Sequence, residues 1–188
     1  MYKVKEKLVN FCHKAYDRGL VSAASGNASI RAGEDKILIT PSGISLGEVK
    51  PEQLIMVDNR GEVLEGDLKP SKETEFHTGI LRNRSEINAV FHLHPPYAIA
   101  YVNKNNTLDL PTGASRKMCN DCEIIDFYPA GSQELAAEVI DRIKDSECRI
   151  VLMKEHGIIT MGEDINSAYN LTDLVEDTAK IAAIQSLL

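Results

Sequence analysis

The chain has 188 residues, of which 43% are hydrophobic and 26% are charged, as is ordinary for one globular domain with a sizeable core. Its net charge of −7, without a basic tract or a row of aromatic residues, argues against a nucleic-acid-binding surface. The N-terminus lacks a signal-peptide pattern, and no apolar run approaches the length of a membrane span, so we expect a single cytoplasmic domain over residues 1–188.

Residues 1–65 predict one helix followed by short strands that hairpin turns connect. Apolar side chains recur at helical spacing near the N-terminus, and Gly19 is a suitable C-terminal stop. Turn residues then separate short apolar runs, a pattern typical of antiparallel strands. The predicted elements are a helix at 2–18, a strand that ends near Arg31, and strands at 36–40, 54–58 and 62–65.

The rest of the chain alternates helices with buried strands. The predicted elements are helices at 71–83, 97–102 and 133–144, a terminal helix to Leu188, and strands at 88–94, 123–128, 149–153 and 158–161. Polar residues 103–122 predict no regular element. Ser132 and either Asp164 or Asn166 are the expected N-caps of the last two helices. Because hairpins dominate the first half, we expect an α/β fold with a mostly antiparallel sheet and helices on both faces.

The strand at 88–94 carries two histidines one residue apart, His92 and His94, and a proline pair follows. Side chains alternate along a strand with a period of two, so both imidazoles point to the same face. Such a pair can hold a divalent metal ion without distorting the backbone. Two hydrogen-bonded core histidines are the alternative interpretation.

A third histidine, His156, lies where another buried strand ends in a turn. Gly157 beside it lets the backbone approach a neighbour closely. Alone, His156 fits an ordinary turn residue. Together with His92 and His94 it would complete the three-histidine set of an open catalytic zinc site, which leaves a position for substrate.

Glu73 lies in the first turn of the predicted helix at 71–83, where a carboxylate favours the helix dipole without any further role. That helix leads directly into the strand of His92, so Glu73 is also a candidate fourth metal ligand or proton-transfer group. His77 lies one turn later on the same face, and we interpret it as support for the site or as core.

Three short turns rich in small, hydroxyl-bearing or amide side chains suit a phosphate group. They match neither a Walker loop nor a dinucleotide-binding fingerprint, so their interpretation depends on their meeting at one place. The turns are Ser25-Gly26-Asn27, Thr40-Pro41-Ser42-Gly43 and Pro70-Ser71-Lys72.

Two of the four cysteines, Cys119 and Cys122, have a spacing that redox and zinc sites use. No second pair of this kind is present to complete a structural zinc site. A disulfide framework is not expected in a chain of this size. We therefore predict that both thiols lack a functional role.

In their order along the chain, these segments resemble the class II aldolase and adducin head domain family. Each segment is weak evidence alone, but the ordered set is specific and spans the chain from Leu20 to the final helix. The shared segments are Ser25-Gly26-Asn27, Pro41-Ser42-Gly43, Lys69-Pro70-Ser71-Lys72-Glu73, His77, His92-Leu93-His94-Pro95 and Glu155-His156-Gly157.

The resemblance implies a three-layer α/β/α sandwich, usually assembled as a cyclic homotetramer with its sites at subunit boundaries. It implies that Zn²⁺, or another divalent cation, binds to His92, His94 and His156 with Glu73 beside it. The residues that it assigns to the phosphate of a sugar substrate are Gly26, Asn27, Ser42, Gly43 and Ser71, with Lys72 as a further candidate.

Two positions depart from the pattern of the fuculose-phosphate aldolases in this family. Lys72 stands where those aldolases have a second serine, and its ammonium group can still meet a phosphate as a point charge. Ser115 is the best match to the position of a tyrosine that those aldolases use. The resemblance therefore does not identify the group that exchanges a proton with the aldehyde fragment.

The activity that this resemblance implies is zinc-dependent retro-aldol cleavage of a ketose 1-phosphate to dihydroxyacetone phosphate and an aldehyde, with Glu73 moving the proton. A metal-dependent dehydratase or 4-epimerase of a pentulose phosphate is the runner-up. The epimerase is less favoured, since that branch typically has aspartate at the position of Glu73. An adducin-like binding module without catalysis and a purely structural zinc site are two further interpretations.

Overall fold

Most helices and strands form where the apolar spacing predicts them. The computed structural model describes residues 1–188, and none of its helices combines the length and the hydropathy needed to cross a membrane. The helices are α1 (Tyr2–Asp17), α2 (Thr74–Asn83), α3 (Pro96–Asn105), α4 (Gly113–Met118), α5 (Gln133–Ile143) and α6 (Ile165–Gln185). The strands are β1 (Asn27–Gly33), β2 (Lys36–Ile39), β3 (Ile55–Val57), β4 (Val63–Glu65), β5 (Ala89–Leu93), β6 (Cys122–Ile125), β7 (Ile150–Met153) and β8 (Gly157–Gly162).

All the strands belong to one sheet, in the order β4-β3-β2-β1-β5-β8-β7-β6. Neighbouring strands are antiparallel, except that β6 runs parallel to β7. The expectation of a mostly antiparallel sheet is confirmed. Strand β5, which carries His92, lies between β1 and β8 near the middle of the sheet, and every one of its residues is buried.

Helices cover both faces of the sheet and complete the three layers that the resemblance implies. On one face, α1, α3 and α6 pack over side chains such as Phe91 and Leu152, and α4 contacts α6. On the other face, α2 and α5 pack over side chains such as Val90 and Ile159. Because side chains alternate along β5, His92 lies on the second face, where its ring contacts Phe76 of α2 edge-on.

Several predicted element boundaries were wrong. Helix α2 begins at Thr74 rather than at Ser71, because Ser71 donates its N–H to the Thr40 carbonyl and extends the end of β2. Strand β6 ends at Ile125, since its partner β7 ends at Met153. The segment 103–122 also contains regular structure, because α3 continues to Asn105 and a capping box forms α4.

The side chains at the predicted helix starts behave as expected for N-caps. The Ser132 hydroxyl accepts the backbone N–H of Leu135 at the start of α5. Of the two candidates for α6, Asp164 is the cap, and its carboxylate accepts the N–H of Ser167 at 2.8 Å. Each bond satisfies a backbone donor that a helix start otherwise leaves without a partner.

Candidate active site

The three predicted histidines converge at the end of β5. Their ligand nitrogen atoms all lie within 4.8 Å of one another, and the Nε2 atoms of His92 and His94 are 3.0 Å apart. The β5–β8 register explains this convergence, because Leu93 pairs with Ile158 and the turn before β8 therefore lies beside the end of β5. His156 belongs to that turn. The interpretation of the histidine pair as core does not account for this third imidazole.

The approach of the His156 turn to β5 requires a residue without a side chain. A Cβ atom on Gly157 would lie 2.5 Å from the Leu93 carbonyl oxygen and 2.6 Å from Cδ2 of His94. Glu155 in the same turn has a left-handed backbone, with φ of 57°, and its N–H donates to the Asn103 side chain. The turn is therefore tight, and the absence of a Cβ at Gly157 lets the third histidine reach the other two.

The protonation of the imidazoles suits a metal ion. His92 donates its Nδ1–H to the Ile158 carbonyl at 3.0 Å, which leaves the lone pair of its Nε2 directed at the other two rings. Burial, together with the nearby His94 and His156, holds the pKa of His92 well below its ordinary value. Burial also lowers the pKa values of His94 and His156. Neutral imidazole is the form that binds a metal.

The Glu73 carboxylate lies against the same imidazoles. Its Oε2 atom is 3.3 Å from Nε2 of His92, and its Oε1 atom is 3.4 Å from Nε2 of His156. Glu73 Oε1 is buried without a hydrogen-bond partner, a state that costs free energy unless something else satisfies the atom. A divalent cation among these atoms would supply that partner. The donor set of three imidazoles and one carboxylate therefore fits such an ion.

The other carboxylate oxygen of Glu73 is held by a buried polar chain. Asn27 on β1 pairs with His92 on β5, and its amide Nδ2 donates to Glu73 Oε2 at 2.8 Å. The Asn27 amide oxygen lies 2.5 Å from Nε2 of His77, and Nδ1 of His77 lies 2.7 Å from the Ser29 hydroxyl. The Asn27 side chain is thus committed to Glu73 and His77. Sequence reasoning placed His77 near the site but did not find Ser29.

The three predicted phosphate turns border a cavity of about 270 Å³ beside the histidines. A bridge between Pro41 and Pro70 joins two of them, and the Ser42 N–H donates to the Lys69 carbonyl at 2.9 Å. The N-terminus of α2, at Thr74, adds the positive end of a helix dipole. The predicted site residues that line this cavity are Gly26, Asn27, Ser42, Gly43, Ser71, Lys72, Glu73, His92, His94 and His156.

Some cavity-lining residues carry no signal in the sequence. Ala130 follows β6 and borders the cavity, and Gly131 after it has a positive φ of 75° and packs against Lys72.

Ser115, which matches the position of the family tyrosine, is fully buried in α4, hydrogen-bonds to Thr112 and does not line the cavity. Lys72 is the one cationic side chain in the lining, apart from any charge on the histidines.

Comparisons with known proteins identify the family and the fold. The family described as Class II Aldolase and Adducin N-terminal domain matches residues 6–183. An L-fuculose phosphate aldolase from Methanococcus maripaludis is 36% identical over 182 residues, which cover 97% of either chain. A 3-oxo-tetronate 4-phosphate decarboxylase from Haemophilus influenzae is 32% identical over 94% of this chain and 85% of its own. The crystal structure of L-fuculose-1-phosphate aldolase from Thermus thermophilus has the same fold, with a TM-score of 0.88 at 24% identity over 100% of this chain and 96% of that one.

Proposed function

Because the chain belongs to the Class II Aldolase and Adducin N-terminal domain family, whose enzymes are metal-dependent lyases, we propose that it is a zinc-dependent ketose 1-phosphate aldolase. The reaction cleaves the ketose to dihydroxyacetone phosphate and an aldehyde. One observation carries the proposal, namely that three imidazoles and the unpartnered oxygen of Glu73 face a cavity bordered by hydroxyl-rich turns and one lysine.

We assign the zinc ion to His92, His94 and His156, with Glu73 beside it. The short distance between the Nε2 atoms of the first two and the fixed tautomer of His92 support this assignment. When bound, the cation supplies Lewis-acid stabilisation of the negative charge that develops as the carbon–carbon bond breaks, worth several kcal/mol. The imidazoles need no proton transfer to bind it, because burial already keeps them neutral.

Lys72 and the turns around it hold the phosphate of the substrate in this proposal. The Ser42 and Ser71 hydroxyls and the backbone at Gly26 and Gly43 line the same cavity as the Lys72 ammonium. Gly43 has a φ of 79°, a conformation typical of turns whose N–H groups can face an anion. Phosphate binding there fixes the distance of the reacting carbons from the histidines, so remote binding energy contributes to positioning.

Glu73 moves the proton at the carbon next to the carbonyl group. Its Oε1 atom has no protein hydrogen bond, whereas Oε2 is held by Asn27, so the carboxylate is anchored on one side and available on the other. A positioned carboxylate of this kind contributes about 10²–10⁴ in rate. No lysine Schiff base is required, and an adduct trapped with borohydride would contradict the scheme.

A decarboxylase is the second candidate, and the similarity to the Haemophilus influenzae protein favours it. Its substrate would bring a carboxylate as well as a phosphate to the site. Lys72 is the one lysine or arginine in the cavity lining and can pair with only one of these anions. For this reason the aldolase, whose substrate carries a single phosphate, is preferred.

We also propose that residues 1–188 form one domain that assembles as a homotetramer in the cytoplasm. One continuous sheet runs through the chain, and several large apolar side chains are exposed, among them Val63, Leu64 and Phe127. Exposed apolar side chains of this kind support self-association. Sedimentation velocity of the zinc-loaded protein measures the assembly directly.

A product analysis tests the proposed reaction. The zinc-loaded protein is incubated with several ketose 1-phosphates, a pentulose 5-phosphate and 3-oxo-tetronate 4-phosphate. We expect dihydroxyacetone phosphate from a ketose 1-phosphate, and loss of its formation when zinc is removed with a chelator. Release of carbon dioxide with dihydroxyacetone phosphate from 3-oxo-tetronate 4-phosphate, without cleavage of any ketose 1-phosphate, would replace the aldolase with the decarboxylase. Accumulation of a dehydrated ketone or an epimer would replace it with a dehydratase or an epimerase.

A further inference from the structure

A buried hydrogen-bond chain ends on the carboxylate of Glu73. It runs from the Ser29 hydroxyl to Nδ1 of His77 (2.7 Å), from Nε2 of His77 to the amide oxygen of Asn27 (2.5 Å), and from the Asn27 amide nitrogen to Glu73 Oε2 (2.8 Å). Ser29 and Asn27 lie two residues apart on β1 and therefore on the same face of that strand. Glu73 and His77 lie one helical turn apart at the start of α2. Residues from β1 and residues from the start of α2 therefore alternate along this hydrogen-bond chain.

The direction of every donor in this chain follows from its last member. An ionised carboxylate only accepts, so the Asn27 amide must present its nitrogen to Glu73 and its oxygen to His77. An amide oxygen also only accepts, so Nε2 of His77 carries the proton. A neutral imidazole then has its lone pair on Nδ1, which requires the Ser29 hydroxyl to donate.

Ser29 and His77 cannot act by touching the substrate. Both are 0% exposed, and neither lines the cavity. The His77 ring stacks on Phe76, with centroids 4.8 Å apart, and its burial leaves it no partner other than Asn27 and Ser29 for its two nitrogen atoms. Their hydrogen bonds therefore reach the site through Asn27.

We propose that Ser29 and His77 are positioning residues for proton transfer, which fix the amide orientation of Asn27 so that it holds Oε2 of Glu73 and leaves Oε1 facing the cavity. With the amide reversed, its oxygen would face the carboxylate, and Glu73 would lose its donor and its fixed rotamer. This inference rests on the proposed role of Glu73. It also commits the Asn27 side chain to the carboxylate, so that Asn27 can meet a phosphate through its backbone only.

Kinetics of zinc-loaded variants test the proposal. His77→Leu removes the donor to Asn27, His77→Gln keeps an N–H donor, and Ser29→Ala removes the hydroxyl that orients the imidazole. Thr172→Val is the matched control, since its hydroxyl is also buried and bonded, to Thr160 and Ala168, but belongs to α6 on the opposite face of the sheet. We expect His77→Leu to lower kcat by about 10- to 100-fold with KM and bound zinc nearly unchanged. His77→Gln should recover part of that loss.

A spectroscopic readout keeps the test independent of the reaction. In zinc-loaded protein labelled with ¹⁵N-histidine, His77 should give the signals of a neutral ring protonated at Nε2. A ring protonated at Nδ1 would overturn the proposal, as would a His77→Leu variant that loses zinc and stability while kcat per bound zinc stays at the wild-type value. Failure of the aldolase assignment alone would instead leave the Nε2–H tautomer in place with no turnover of any ketose 1-phosphate.

Discussion

At the residue scale, the two oxygen atoms of Glu73 have different surroundings. Oε2 accepts a hydrogen bond from Asn27, whereas Oε1 is buried, has no partner and faces His156. The three imidazoles can hold a cation without Glu73, because each offers one nitrogen atom to the same region. Metal binding and proton transfer are therefore separable by mutation.

Replacing Glu73 with glutamine should strongly lower turnover while zinc binding persists. In Glu73→Gln the side chain keeps its volume but cannot exchange the proton, so we expect kcat to fall by about 10²–10⁴. Zinc content by mass spectrometry should stay near that of the wild type, since the imidazoles remain. Glu75→Gln is the control, because Glu75 is exposed on the same helix and does not line the cavity. Equal loss of zinc and of activity in Glu73→Gln would indicate a structural ligand instead.

Residue-level prediction succeeded where one local rule was enough. The period of two along a strand placed His92 and His94 on one face, and the spacing of a helix placed His77 one turn after Glu73. It did not find the bond between Asn27 and Glu73, because that contact depends on the pairing of β1 with β5. The register of two strands far apart in sequence is not contained in either strand alone.

At the element scale, the contact between the β7–β8 turn and the end of β5 assembles the histidines. Gly157 at the start of β8 is the point of closest approach, where a Cβ would overlap the Leu93 carbonyl and the His94 ring. The space that a methyl group needs can only come from moving β8 or the ring of a proposed zinc ligand. The proposed metal site therefore depends on the absence of a side chain at Gly157.

A methyl group at this position should weaken zinc binding. Gly157→Ala is expected to lower the affinity for zinc at least about tenfold, as displaced supports of metal ligands do, and to cost about 1–3 kcal/mol of stability through overpacking. Zinc affinity is measured by competition with a chromogenic chelator and stability by thermal unfolding. Gly113→Ala is the control, since a Cβ there meets nothing within 4 Å. Wild-type zinc affinity in Gly157→Ala would mean that the turn does not position His156.

The predictions of helices and their boundaries were wrong where tertiary contacts override local signals. The start of α2 is displaced because the Ser71 N–H bonds to the Thr40 carbonyl and the Pro41–Pro70 bridge draws this segment toward β2. Helix α4 has only six residues in a polar segment, so it has no helical stripe to reveal it, and only its Thr112 capping box marks its start. Longer elements such as α5, with caps and helical stripes, were predicted well.

At the scale of the whole molecule, one sheet joins the two halves of the chain at the candidate site. Strands β1 and β2 come from the first part, β8 and β7 from the last, and β5 lies between them. Hairpins in the sequence indicate which neighbours pair, but the β1–β5 and β5–β8 pairings link distant segments and were not predicted. This architecture buries neutral histidines between the sheet and α2.

These buried histidines make the stability of the metal-free protein depend on pH. Burial lowers the pKa of His77 to about 3 and holds that of His92 well below its ordinary value. An unfolded histidine titrates near pH 6.5, so between that pH and the folded pKa the unfolded chain binds more protons than the folded one. Their contribution to stability is therefore complete above about pH 6.5 and is lost progressively as the pH falls toward the folded pKa values.

The expected slope can be measured before carboxylates begin to protonate. From about pH 6.5 to 5, each such histidine should lower the free energy of unfolding by up to about 1.4 kcal/mol per pH unit. Urea unfolding of the chelator-treated protein gives this slope, and His77→Gln should reduce it by the share of one histidine, because glutamine does not titrate. The slope difference is independent of any overall loss of stability in the variant. Identical slopes for both proteins would mean that His77 is already protonated in the folded state, with its Nδ1 donating to Ser29 rather than accepting from it.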